Sequence, residues 1–97
     1  MVIPKEVKLL GVTYAVSEVQ QIAPGSSDGG RIDHFEGTIQ VVASLPAEIK
    51  QRTLLHEVTH GILAALGQWE LHGDEQFVSA FASAWYQVLR DNELLLG

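Results

Sequence analysis

His56, Glu57 and His60 stand in the run His56-Glu57-Val58-Thr59-His60, an H-E-x-x-H sequence. Four residues is close to one turn of α-helix, so a helix through this run sets both imidazoles on one face, where two nitrogens can converge on one zinc ion. Glu57 lies about 100° round the helix from His56. That placing is poor for a third ligand and good for taking a proton from water beside the metal. The chemistry implied is metal-assisted hydrolysis, with Zn2+ as the cofactor.

A zinc site that does chemistry takes a third protein ligand and keeps one position open. The donors downstream of the motif are Glu70, His72, Asp74 and Glu75. Asp74 reads as a helix N-cap. A first-turn Glu75 is favoured by the helix dipole with or without a metal, but two histidines alone leave the site incomplete, which makes Glu75 the expected third ligand. Hydrolysis also needs a group that stabilises the developing oxyanion. His72, close in sequence to Glu75, and His34, upstream of the motif helix, are the candidates, although a loop histidine and a strand-surface histidine need no such role. Tyr86 is too far away, since eleven residues along a helix carry it about 16 Å from Glu75.

Elements of two kinds must hold these groups. Ser44 with Pro46 signals a helix start, helical periodicity runs to Leu66, and Gly67 is the expected stop. On a helical wheel Leu54, Leu55, Val58, Ile62, Ala65 and Leu66 form the core arc, nearly opposite His56 and His60. Gly61, directly after the motif, costs about 1 kcal/mol in a helix relative to Ala, and a close approach by another backbone would account for it. A second helix is expected from Gly73 or Asp74 to about Asn92. It sets Glu75, Ser79, Ala82 and Tyr86 on one stripe, opposite Phe77, Ala80, Phe81, Ala84 and Val88. Trp69, Trp85 and Phe77 are expected to pack in the core or between helices.

Upstream, Leu10, Val12, Tyr14 and Val16 alternate with small or polar residues, predicting one strand over Val7 to Val19. Arg31 to Phe35 and Thr38 to Ala43 are two more, joined by a turn at Glu36-Gly37, and residues 24–30, rich in Gly and Ser, form a loop before them. The expected fold is therefore α+β, with a small antiparallel or mixed sheet of about three strands on the motif helix and the C-terminal helix on that helix's other side. A single domain is expected over 1–97.

The runs LLHEVTHGIL and EQFVSAFA resemble the compact zinc metallopeptidases of the ImmA/IrrE type and the single-domain minigluzincins. The resemblance covers roughly the last half of the chain, and GRIDHFEGTIQVV is similar in layout to the small sheet preceding the motif helix in that group. It implies a zincin-like fold and a gluzincin-type site: His56, His60 and Glu75 as zinc ligands, Glu57 as general base, and Phe81 as a core residue of the second helix. Val78 stands where the family often has Ala, and Ser79 where Asn or Asp is common. The implied activity is peptide-bond hydrolysis by a narrow-specificity or latent enzyme, with a protein or peptide substrate pairing along an exposed sheet edge. The alternative is a zinc-binding, non-catalytic regulatory or protein-interaction module on the same fold.

Composition narrows the classes further. Hydrophobic residues make up 46% of the 97 and charged residues 19%, a balance that supports a packed core. With no Cys, thiol nucleophiles and cysteine zinc sites are excluded. Six basic residues scattered among twelve acidic ones give a net charge of -6, against a nucleic-acid surface. No signal peptide is evident and no apolar run approaches the roughly 20 residues that span a bilayer, so a cytoplasmic protein without membrane contact is expected.

Overall fold

The switch from alternating to helical periodicity near Ser44 is where the sheet ends and the helices begin. A computed structural model describes residues 2–93, so the first residue and the last four of the expected 1–97 domain lie outside it. The strands are β1 (Glu6–Leu9), β2 (Val12–Val19), β3 (Gly30–Asp33) and β4 (Thr38–Val42). The helices are α1 (Ala47–Ala65), α2 (Trp69–His72) and α3 (Glu75–Asp91). The fold is α+β, and its one four-stranded sheet is mixed, in the order β1-β2-β4-β3. Both edge strands pair antiparallel with their neighbours, while the central β2 and β4 run parallel with Ala15 opposite Thr38 and Val19 opposite Val42.

The single strand expected over Val7 to Val19 is in fact a hairpin, which raises the strand count from about three to four. Its turn is Leu10-Gly11, with φ of +48° and +88°, and it pairs Leu9 with Val12 and Val7 with Tyr14. A two-residue turn shifts the parity of alternation, so Leu9 joins Tyr14 in the core. Leu10 in the turn and Val12 directly after it are exposed. The second hairpin turn is also wider than expected, because β3 stops at Asp33. There the Asp33 carboxylate accepts hydrogen bonds from the backbone N–H groups of Phe35 and Glu36, an Asx-type turn.

The core joins Leu9, Tyr14, Ile39 and Val41 of the sheet to Leu54 and Val58 of α1. Pro46, not Ser44, occupies the N-cap position of α1, and Gly67 at φ +71° closes its other end, its N–H donating to the Ala64 carbonyl. Of the expected core arc, Leu54, Leu55 and Val58 are buried, but Ala65 and Leu66 in the last turn are exposed. The helix α3 packs against α1 through Val78, Ala82 and Tyr86. Phe81 lies off that face and is 51% exposed, stacked beside Phe77, so it is not the core residue that the resemblance implied. Trp69, expected to be packed, is also exposed, because it sits on α2, a short helix that the sequence did not announce. Trp85 packs against the core as expected.

At Gly61 α1 lies close against the sheet. A Cβ there would lie 2.5 Å from Leu9 Cδ1 and 2.9 Å from Ile32 Cδ1, so side chains of two strands, not another backbone, require the glycine. Overpacking of this kind typically costs about 1–3 kcal/mol, against about 1 kcal/mol of helix propensity gained. Gly61→Ala is therefore expected to lower stability by about 1 kcal/mol in denaturant unfolding. A more stable variant would show that Leu9 and Ile32 move aside freely.

Candidate metal centre

Within α1 the motif divides its five residues among three neighbours. Val58 faces the sheet core. Thr59 is buried, donates its hydroxyl proton to the Leu55 carbonyl at 2.8 Å and accepts from Trp85 Nε1 at 3.1 Å, tying α1 to α3. His56 and His60 project side by side with ring centroids 4.9 Å apart. Glu75 opens α3, whose first turn is set by Asp74 as N-cap, its carboxylate accepting from the Phe77 N–H. Asp74 thus takes the N-cap position expected of it.

This geometry brings the Glu75 carboxylate between the two imidazoles. His56 Nε2 is 3.1 Å from Glu75 Oε2 and His60 Nε2 is 2.7 Å from Glu75 Oε1. Donor atoms of His56, His60 and Glu75 all lie within 4.8 Å of one another, forming a candidate metal site. Two imidazole nitrogens and a carboxylate are a donor set that zinc accepts, and ligands about 2.1 Å from a tetrahedral zinc stand roughly 3.4 Å apart. The residues present therefore fit such an ion. His60 Nδ1 is buried without a hydrogen-bond partner, so His60 has no protein acceptor of the kind that usually orients a ligating ring.

Glu57 is 8% exposed, enclosed by β3 and α1. Burial pushes its carboxyl up to about 7, and the negative charges of Glu75 and Asp28 act in the same direction, against a hydrogen bond from the Ile32 backbone. His34 and His72, far apart in sequence, meet here with Nε2 atoms 3.2 Å apart. His34 Nδ1 lies 3.4 Å from the Tyr14 hydroxyl, and the His72 ring centroid is 4.8 Å from that of His60. Burial lowers the pKa of both histidines, and each is lowered further by a neighbouring histidine, His72 for His34 and His60 for His72. One Nε2 must donate and the other accept, which a neutral pair satisfies.

Glu70 is exposed on α2 and takes no part in the three-residue cluster. Sequence reasoning did not anticipate Tyr14 beside His34, nor Gly30, whose Cβ would stand 2.7 Å from Thr53 Cγ2 and 3.3 Å from Glu57 Cγ. The Gly29-Gly30 pair reads as loop, and only its place directly before a strand hinted at a close approach. No helix among the described residues is long and apolar enough to cross a membrane.

No protein-family model, curated protein or solved structure matches this chain. Purified protein is expected to bind about one zinc ion by competition with a chromophoric chelator. His56→Ala, His60→Ala and Glu75→Ala are each expected to weaken binding by more than the roughly 10–100-fold typical of losing an outer-shell partner. Wild-type affinity in Glu75→Ala would remove Glu75 from the donor set.

Proposed function

We propose that this chain is a zinc-dependent metallopeptidase with a zincin-like fold, in which His56, His60 and Glu75 hold the metal and Glu57 is the general base. The observation that carries the reading is the meeting of Glu75 with both motif histidines, together with the retention beside them of Glu57, a carboxylate that a purely structural site does not require. When bound, a zinc ion supplies Lewis acidity, acidifying water and polarising a carbonyl oxygen. Glu57 accepts the proton of the attacking water and delivers it to the leaving amine, and its burial raises the proton affinity that this task needs. The low exposure of Glu57 and His60 keeps bulk water from competing for these protons. His72 and His34 are assigned to the oxyanion, His72 being the nearer to His60.

Protein or peptide is the proposed substrate, cut at few sites, in a protein taken to be cytoplasmic. Zinc-loaded wild type, incubated with a proteome-derived peptide library, is expected to generate a small set of new termini that chelator and Glu57→Gln both abolish. Broad cleavage would overturn narrow specificity. Identical empty profiles with intact zinc binding would replace the peptidase by a non-catalytic zinc-binding interaction module.

A further inference from the structure

A groove of about 290 Å³ runs from Glu57 and His56 away from the His34–His72 side of the centre, between the start of β3 and the facing surfaces of α1 and α3. Its volume is at the lower limit of small-ligand sites, enough for a side chain or two of an extended peptide. Small residues leave it open: Gly29 and Gly30 on one wall, Ser79, Ala82 and Ser83 on another. On the α1 wall the lining includes Ile49, Thr53 and Arg52, and Arg52 is the one lysine or arginine among the residues that line it.

The charge around Arg52 is unbalanced. Glu48 accepts from Arg52 Nη2 at 3.3 Å and from Arg90 Nη1 at 2.8 Å, so two guanidinium groups share one carboxylate and a positive charge remains. The shorter contact belongs to Arg90, which leaves Arg52 the less committed partner. The Arg52 guanidinium also lies 5.9 Å from the centroid of the buried Tyr86 ring, which steadies it from the α3 side. Its side chain is 46% exposed, open to a ligand in the groove. In a chain with a net charge of -6, this is a local exception beside the candidate centre. Glu57 lines the other end of the groove, where the Asp28 charge also acts on it, so an anionic ligand is favoured at the Arg52 end.

The geometry points to Arg52 as a specificity determinant: the groove is a subsite for a peptide carboxylate, bound within about two residues of the bond that is cut. Arg52 precedes His56 by four residues, about 6 Å along the helix, and an extended peptide advances about 3.3 Å per residue, which sets that interval. The fork of guanidinium donors matches a carboxylate, and the Ser79 and Ser83 hydroxyls offer further donors across the groove. The carboxylate can be an Asp or Glu side chain or the free C-terminus of the substrate. This inference rests on the peptidase reading for the identity of the ligand as a peptide.

Its test uses binding as well as cleavage. Zinc-loaded Glu57→Gln protein is titrated by fluorescence anisotropy with three fluorescein-labelled alanine-rich octapeptides: one with a central Glu and an amidated end, one with Gln in that place, and one with Gln and a free C-terminal acid. The peptide with a carboxylate in the recognised position is expected to bind about tenfold more tightly than the Gln amide, and the two acidic peptides distinguish side chain from chain end. Adding Arg52→Gln should abolish the preference, while Arg52→Lys should keep part of it, which separates loss of charge from loss of fold. Equal binding of all three peptides, absence of binding, or a preference undiminished by Arg52→Gln would overturn the assignment. Cleavage of the peptide library by wild type without any acidic preference would sink the subsite and leave the peptidase standing. The anisotropy preference without any cleavage would do the reverse.

Discussion

Zinc-loaded Glu57→Gln is expected to bind metal with about wild-type stoichiometry and to lose about 10²–10⁴-fold in peptide hydrolysis, the range over which a positioned general base contributes. Glutamine keeps the size and hydrogen-bonding oxygen of the side chain but has no lone pair basic enough to accept the water proton. Glu57 is not among the donors that cluster as a metal site, so the substitution separates catalysis from metal binding, which His56→Ala or Glu75→Ala would confound. The measurement is turnover of whichever peptide the library identifies, at saturating zinc and over a range of pH. A residual rate within about tenfold of wild type would assign proton transfer elsewhere.

The same substitution is expected to stabilise the metal-free protein. The Glu57 carboxyl is raised from 4.5 to about 7, chiefly by burial, so between those pH values the folded state holds a proton that the unfolded chain has released. Stability is then fully present below about pH 4.5, falls as pH rises, and levels off above about pH 7, where the buried charge costs about 3 kcal/mol at 1.36 kcal/mol per unit. For a domain of this size that corresponds to a Tm lower by roughly 10 °C or more. Glu57→Gln carries no charge to bury. In chelator, its thermal unfolding should therefore be much less pH-dependent across this window, and its Tm above that of wild type at pH 8. Zinc should narrow the gap, because a cation beside Glu57 favours the ionised form. Equal metal-free pH profiles for the two proteins would mean that Glu57 reaches water in solution.

These two effects share a cause that the sequence states openly. The motif, its helix, the N-capping Asp74 and the first-turn Glu75 all follow from local spacing, and local spacing survives folding: the three donors meet as the helical wheel implied. What was hidden depends on parity or on distance. The alternation of Leu10, Val12, Tyr14 and Val16 conceals a turn at Leu10-Gly11, because Val7 and Leu9 fall on the other parity and Leu is an unusual residue at positive φ. Phe81 and Trp69 look like core by type, but α3 buries only the face of Val78, Ala82 and Tyr86. The contact of His34 with His72 joins a hairpin to a four-residue helix, and no periodicity reports a meeting across that separation. Only the need for an oxyanion donor points from the sequence to His72 and His34.

The donors His56 and His60 of α1 and Glu75 of α3 lie within nineteen residues of one another and follow the whole sheet in sequence, whose central parallel pairing sets β2 beside β4 with Ala15 opposite Thr38. Closing the chain from His56 to Glu75 costs about as much loop entropy as pairing β2 with β4, since the two spans are similar and the cost grows only slowly with length. The chelating half therefore does not have to wait for the sheet, and metal captured early would hold α1 and α3 together as the strands find their register. Refolding from denaturant is expected to be faster in zinc than in chelator, with the acceleration lost in His56→Ala, as followed by stopped-flow tryptophan fluorescence of Trp85 and Trp69. The order of events would then run from the reacting groups outward to the scaffold.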